Sequence, residues 1–341
     1  MSNMYSLLRP ILFRLNPECA HMLTLNALRI TGNFPISRKI LELIYQTPSK
    51  PTQLFGLTFK NQIGLAAGYD KDGVAIRGLA ALGFGHVEIG TVTPKPQPGN
   101  PSPRVFRLLE DEAIINRMGF PSRGMEYVEK QLSVRSNRSA VLGVNIGKNK
   151  ETPNEEAVFD YLALLSRFAP LADYVTINVS SPNTEGLRDL QERKALENLL
   201  LRLHQQRLVE QEQLKKRIPI LVKLSPDMSE AGLDDSLEAI LNTHMDGVIV
   251  TNTTLGREGL RSSYRGETGG LSGKPLTVKS EAVLRQTLKW VNGRIPVVSA
   301  GGVMNPEDAK RRLAMGAALV QVYTGLVYRG PGLVKEIVRS L

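Results

Sequence analysis

Eight short apolar runs recur between residues 63 and 322, at Ile63–Ala67, His86–Thr91, Val141–Ile146, Tyr174–Val179, Pro219–Leu224, Gly247–Asn252, Pro296–Ala300 and Ala317–Val322. Each ends in polar residues, and helical patterns lie between them at 72–82, 124–135, 154–168, 190–216, 230–243, 278–290 and 306–315. Continuous apolar strands alternating with helices describe a parallel sheet buried on both faces. Eight such units predict an α/β fold closed into a (β/α)8 barrel of the TIM type. An open doubly wound sheet is the competing architecture. It lacks its signature, because GFGHVEIG precedes a strand rather than opening a helix after one.

Ahead of the barrel, Leu7, Leu8, Ile11, Leu12 and Leu15 follow Met4 at helical spacing, and Asn16-Pro17 ends the stripe. A second helix is predicted over 18–29, carrying Met22, Leu23, Leu25 and Leu28. The chain therefore divides into a two-helix amphipathic extension, 1–47, and a catalytic barrel, 48–341. The stripe either caps the barrel or lies on a membrane. Six basic against two acidic residues in positions 1–50 favour an anionic surface. Arg9 and Arg14 interrupt any signal-peptide pattern, and no apolar stretch approaches the roughly 18 residues that would span a bilayer.

Two long excursions break the regular alternation. Between Thr91 and Gly124 the chain has five prolines before Arg104 and then two extended runs, Val105–Leu109 and Ala113–Asn116; a second excursion runs from Thr254 to Gly273. Loops of that length on a barrel usually wall an active site, and the glycine content of the second predicts mobility. TQLFGLTFKN reads as a hairpin turning at Gly56.

The chain of 341 residues carries a net charge of +10, one cysteine (Cys19) and four histidines. One cysteine excludes an intramolecular disulfide and fits a reducing compartment, and neither HExxH nor CxxC is present to suggest zinc. No basic run with interleaved aromatics supports nucleic-acid binding; the charges around Arg38, Lys39 and Lys215 read as helical surface. His86, His204 and His244 are expected to be surface or helix-end residues.

Chemistry in such a barrel gathers at the C-terminal ends of the strands. Those ends supply Ala67-Gly68 with Lys71, Gly90-Thr91, Asn145, Asn178 with Ser181 and Asn183, Lys223, Asn252-Thr253, Gly301-Gly302 and Tyr323-Thr324. They contain no histidine and scarcely a carboxylate. Amides donate and accept at once, which suits a planar polar group such as an imide or a carboxylate. A lysine there can stabilise negative charge developing on a ring. The glycines after the seventh run, with Tyr323-Thr324-Gly325 after the eighth, are placed to cradle a phosphate.

The ten motifs AAGYDKDG (from Ala66), EIGTVTPKPQPGNPSPRVFRL (Glu88), INRMGF (Ile115), GVNIGKNK (Gly143), INVSSPNTEGLR (Ile177), VKLSP (Val222), TNTT (Thr251), GGLSGKPL (Gly269), SAGGV (Ser299) and QVYTGLVYRGP (Gln321) stand in order along the chain. With them it resembles the dihydroorotate dehydrogenases of the membrane-associated, quinone-dependent class (class 2). The resemblance implies oxidation of dihydroorotate to orotate in pyrimidine biosynthesis. It also implies FMN as hydride acceptor and ubiquinone or menaquinone as the final acceptor. Ser181 would be the catalytic base at C5. Lys71, Asn116, Arg117, Met118, Gly119, Phe120, Asn178, Asn183, Asn252 and Thr253 would meet the substrate. Ala67, Gly68, Lys71, Thr91, Asn145, Asn178, Lys223, Thr251, Ser272, Gly273, Gly301, Gly302, Tyr323 and Thr324 would surround FMN. His21, Arg107 and Tyr323 would stand at the quinone end of a tunnel.

A related soluble class passes electrons to fumarate or to a partner subunit and uses cysteine as base; Ser181 and the first 45 residues argue against it. A barrel-type flavin-dependent tRNA reductase would suit the basic charge but lacks a separate RNA-binding domain here, and a non-enzymatic scaffold would bind no flavin. The expected setting is a monomer on the cytoplasmic face of a bacterial inner membrane, associated peripherally and with no metal.

Overall fold

The structure, a computed structural model, describes residues 2–133 and 139–341, without the side chains of residues 2–4, so the side chain of Met4, first in the N-terminal stripe, and the end of the helix expected to reach Arg135 lie outside what is described. Strands β1 (Thr52–Leu54) and β2 (Leu57–Phe59) form the expected hairpin, turning through Phe55 at φ +57 and Gly56 at φ +78. Eight parallel strands then close the barrel: β3 (Ile63–Leu65), β4 (His86–Val92), β7 (Val141–Ile146), β8 (Tyr174–Asn178), β9 (Ile220–Leu224), β10 (Gly247–Val250), β12 (Val297–Ala300) and β13 (Leu319–Val322). All eight coincide with the predicted runs.

The barrel interior is filled by pairing glycine on one strand with a large side chain on the next. Gly64 lies opposite His86, and a Cβ there would meet the imidazole at 2.0 Å; Gly143 lies opposite Tyr174, where a Cβ would meet the ring at 2.2 Å. His86 is therefore no surface residue. It has 0% exposure, packs edge-on to Phe59 and Tyr174, and burial drops its pKa to about 3, so it is a neutral core aromatic. The hairpin closes the same end, with Phe55 and Phe59 packed against Tyr174, Leu221, Ile249 and Leu319. His204 and His244 keep the expected place, partly buried on one helix and exposed after the next.

The two excursions are one structure. Strands β5 (Val105–Leu108) and β6 (Ala113–Asn116) from the first pair antiparallel, and β11 (Gly270–Gly273) from the second joins β6, giving the order β11-β6-β5. The glycine-rich segment is pinned: Arg257 donates to the carbonyls of Glu267 and Gly269, and Arg117 pairs with Glu267 at 2.6 Å.

Three helices, not two, precede the barrel: α1 (Ser2–Arg14), α2 (Pro17–Asn33) and α3 (Pro35–Ile44). Helix α2 opens on an Asn16 side-chain cap with Pro17 in its first turn and runs past Gly32, which would ordinarily read as a stop. Packing explains the continuation. A Cβ on Gly32 would meet the backbone nitrogen of Gly78 at 2.3 Å, so two glycines let α2 cross α4 (Ile76–Ala81) in backbone contact. Leu25 on α2 belongs to the main barrel core, and Glu18 holds Arg104 of the first excursion through Nε and Nη2. The outward faces stay uncovered: Leu7, Leu8, Ile11, Leu15, Met22, Leu23, Ile36, Ile40 and Leu43 are exposed. Among the described residues no helix is long and apolar enough to cross a membrane.

The outer layer is completed by α5 (Met125–Ser133), α6 (Ala157–Phe168), α7 (Arg193–Leu214), α8 (Glu230–Asn242), α9 (Thr277–Val291), α10 (Pro306–Met315), α11 (Thr324–Arg329) and α12 (Leu333–Ser340). The extension is tied down at α11: Tyr5 donates its hydroxyl to the Val327 carbonyl, and its ring occupies the space that a side chain at Gly330 would need.

Candidate active site at the barrel mouth

A cavity of about 440 Å³ runs from the C-terminal ends of the strands to an opening between the N-terminal helices. That volume lies in the range of small-molecule sites. Its outer end is apolar, walled by Leu8, Leu12, Phe13, Pro17, Ala20 and Leu28; its inner end carries Asn116, Asn178, Ser181, Asn183, Asn252 and Lys223.

The inner amides form one directed chain. Glu88, at 0% exposure on β4, accepts from Asn145 Nδ2 (2.9 Å), Tyr174 Oη (3.1 Å) and Gln321 Nε2 (2.9 Å). Because a carboxylate only accepts, it fixes the Asn145 amide with its oxygen facing upward. That oxygen takes the Thr91 hydroxyl at 2.6 Å and Asn178 Nδ2 at 3.1 Å. The Asn178 oxygen in turn faces Ser180 Oγ (3.3 Å) and Asn252 Nδ2 (3.4 Å). Every amide in the row thus has its orientation set from the barrel interior. Glu88 was not anticipated; an acid inside a strand reads as solvent-facing, and its three donors come from other strands.

Ser180 and Ser181 differ sharply. Ser180 Oγ is committed to Asn178 and to Asn252 Nδ2 at 3.0 Å, whereas Ser181 lines the cavity and, among the described residues, accepts only the Asn183 N–H, at 3.3 Å. Pro182 between them and Asn183 offers no N–H and stiffens the turn. Asn183 Nδ2 reaches Asn116 Oδ1 at 3.1 Å, and its own Oδ1 is buried without a partner. An unmet buried acceptor beside an open cavity marks a place for a donor on a ligand.

Lys71 donates to the Gly68 carbonyl at 2.7 Å, and burial lowers its pKa to about 8. Burial also lowers that of Lys223, against the opposing effect of Glu88. Replacing Lys223 by alanine should lower the flavin reduction potential or the flavin content of the purified protein, and spectroelectrochemistry returning both unchanged would remove this lysine from the site.

Toward the opening, His21 stacks edge-on against Tyr69 at 5.0 Å and Tyr69 against Tyr323 at 5.8 Å. Burial, reinforced by Lys71, brings the His21 pKa to about 3, so the imidazole is neutral. Arg107 also lines the passage; it donates to the carbonyls of Leu12 and Leu15, satisfying the end of α1, and lies over Phe13. Tyr69 completes this ring ladder and was missed, its only signal being its place inside AAGYDKDG.

Most of the predicted site residues converge on the cavity wall: Ala67, Gly68, Lys71, Thr91, Asn116, Met118, Gly119, Phe120, Asn178, Ser181, Asn183, Lys223, Thr251, Asn252, Thr253, Ser272, Gly301 and Tyr323. Asn145, Gly273, Gly302 and Thr324 stand outside that wall, Asn145 under Thr91 and Thr324 donating to Ser272 Oγ at 2.8 Å. Arg117 also stands outside that wall: its guanidinium pairs with Glu267 and lies over the Phe106 ring at 4.6 Å, while its neighbours Asn116 and Met118 line the cavity.

A phosphate-bearing flavin fits the glycine cradle. Gly301 and Gly302 hold φ +90 and +72, and a Cβ on either would strike Leu276, Thr251 or Thr277 within 3.0 Å, so only glycine fits this turn, the kind of backbone that a phosphate approaches closely. Among the described residues no group of three or more His, Cys, Asp or Glu could hold a metal ion.

The dihydroorotate dehydrogenase family profile matches residues 50–341. A relative from Idiomarina loihiensis named dihydroorotate dehydrogenase (quinone) is 48% identical over 338 residues, covering 99% of this chain and 100% of its own. One of the same name from Halorhodospira halophila is 48% identical, covering 99% and 97%. The crystal structure of ligand-free DHODH from Eimeria tenella superposes with a TM-score of 0.86 at 41% identity, covering 95% of this chain and 93% of that one. The strand-end amides, the serine open to the cavity, the glycine cradle and a likeness extending through the N-terminal helices agree: the chain belongs to the dihydroorotate dehydrogenase family.

Proposed function

We infer that the chain oxidises (S)-dihydroorotate to orotate, with FMN as hydride acceptor and a membrane quinone as the final acceptor, as in de novo pyrimidine biosynthesis. The observation that carries this reading is the single cavity joining a polar barrel mouth to an apolar opening between the N-terminal helices. In the proposed chemistry Ser181 Oγ removes the proton from C5 while the hydride leaves C6, and the C5–C6 double bond of orotate forms. Asn116, Asn178, Asn183 and Asn252 hold the ring edges and the carboxylate, and Lys71 adds positive charge. The glycine turn at Gly301 and Gly302, with Ser272, Thr251 and Lys223, would hold FMN, which supplies the redox-active ring that takes the hydride and passes electrons to quinone. With no imidazole or carboxylate hydrogen-bonded to Ser181 among the described residues, its basicity must come from exclusion of water and from the bound substrate.

The exposed faces of α1, α2 and α3 would lie on the bilayer, so that a quinone enters the passage between them from the lipid. Basic residues among the first 50 support an anionic, cytoplasmic leaflet of a bacterial inner membrane, and one chain closes the cavity, which supports a monomer as the working unit. Parallel assays with several quinones, fumarate and NAD test the acceptor; turnover only with fumarate or NAD would end the quinone reading. Leu7→Glu with Ile36→Glu, at side chains 74% and 79% exposed, should weaken binding to anionic vesicles by at least about tenfold, since each buried side chain of this size contributes roughly 1.5–3 kcal/mol. The same variant should slow turnover with long-tailed quinone and leave flavin reduction by dihydroorotate near the native rate. Unchanged vesicle binding would show that these faces do not meet lipid.

A further inference from the structure

Arg312 on α10 has 0% exposure, and among the described residues no carboxylate lies within hydrogen-bonding distance of its guanidinium. The nearest acid, Glu281, stands 3.8 Å from Nε, which has no hydrogen-bond partner, and Glu281 is itself engaged by Arg311 at 3.1 Å. A guanidinium is costly to bury, and here Glu281 and Asp308 compensate it electrostatically without bonding to it. Its two bonds go to serines: Nη1 to Ser299 Oγ at 2.9 Å and Nη2 to Ser280 Oγ at 2.8 Å. Because arginine can only donate, Ser280 must direct its own hydrogen elsewhere, and the acceptors in reach are the Gly301 carbonyl at 2.9 Å and the Thr277 carbonyl at 3.0 Å. Beside it Thr277 Oγ1 donates to the Gly302 carbonyl at 2.8 Å. In a trans peptide the carbonyl and the following N–H point opposite ways. Drawing the carbonyls of Gly301 and Gly302 toward α9 therefore turns the N–H groups of Gly302 and Val303 away from it.

We propose that Arg312 is a positioning residue for the FMN phosphate: through Ser280 it locks the Gly301-Gly302 backbone with its N–H groups turned to the anion, and its buried charge stands behind them. This rests on reading the cavity as the FMN site. Burial brings the guanidinium to about 10, so it remains charged at neutral pH. Glu281, 3.8 Å from Nε, and Asp308 offset part of that charge, and a bound phosphate would add to them.

Riboflavin, which has the same ring and no phosphate, supplies the test. Holoenzyme is equilibrated with mixtures of FMN and riboflavin, and bound flavin is separated and quantified. Arg312→Met and Ser280→Ala should each lower the preference for FMN over riboflavin by at least about tenfold, the scale of one charge-assisted hydrogen bond. Arg312→Lys should recover part of it. A merely structural role would lower the melting temperature or weaken both flavins equally with the preference unchanged, and that result overturns the proposal. Should Arg312→Met fail to fold, Ser280→Ala decides, because it keeps the charge and removes the link. Wild-type protein that binds neither flavin would instead sink the reading of the cavity itself.

Discussion

Ser181→Ala should retain FMN and still bind orotate, yet its flavin should be reduced by dihydroorotate at least about 100-fold more slowly, the scale for losing a positioned general base. The residue is only 5% exposed, lines the cavity, and makes one hydrogen bond among the described residues, its hydroxyl accepting the Asn183 N–H. Its own proton and second lone pair have no partner among the described residues, as a group that must exchange a proton with substrate requires. Ser180→Ala removes a different function. Its hydroxyl joins Asn178 to Asn252, so that variant should chiefly weaken orotate binding and slow proton removal far less. Anaerobic stopped-flow reduction across pH separates the two. The native rate should climb as pH rises, because the deprotonated site is the reactive one, and Ser181→Cys should keep part of the rate through a thiolate. Native-rate reduction in Ser181→Ala would make this serine structural.

Strand positions were legible because a parallel strand buried on both faces leaves an unbroken apolar run, and all eight runs became barrel strands. The strand ends could be read for the same reason, and with them most of the polar wall. What escaped depended on distant partners. Gly32 reads locally as a helix stop, but contact with Gly78 carries α2 to Asn33 and leaves α3 as a separate helix beginning at Pro35. GGLSG shows no alternation, and β11 exists only because the backbone of β6 pairs with it. His86 looked like a polar residue at a strand start, and only the missing side chain at Gly64 makes room for it inside. Arg117 sits in a motif whose neighbouring residues line the cavity, while its own long side chain pairs with Glu267 from the second excursion.

Glu88 carries the second large prediction. Glu88→Leu would strand three buried donors, Asn145 Nδ2, Tyr174 Oη and Gln321 Nε2, and remove the negative charge that helps keep Lys223 protonated. Breaking a buried charge arrangement from one side costs about 3–5 kcal/mol, so urea unfolding of the FMN-loaded protein should shift by that amount and flavin content should fall. Glu88→Gln is gentler in shape. Gln321 Oε1 has no partner, so a flip of that amide could receive the new N–H, and the cost should be smaller. The charge is still lost, and pH reveals it. Lys223 already has a folded-state pKa below its ordinary value through burial, so between the two values the unfolded chain binds more protons and stability rises with pH. Without Glu88 the folded value drops further and that window widens downward. Stability in Glu88→Gln should therefore climb more steeply than native as pH is raised from neutrality toward the lysine's unfolded value. Adding Lys223→Met should flatten the extra slope and recover part of the loss, since the two groups are then removed together. A Glu88→Leu protein within about 1 kcal/mol of native would mean that the barrel interior orients its amides without this carboxylate.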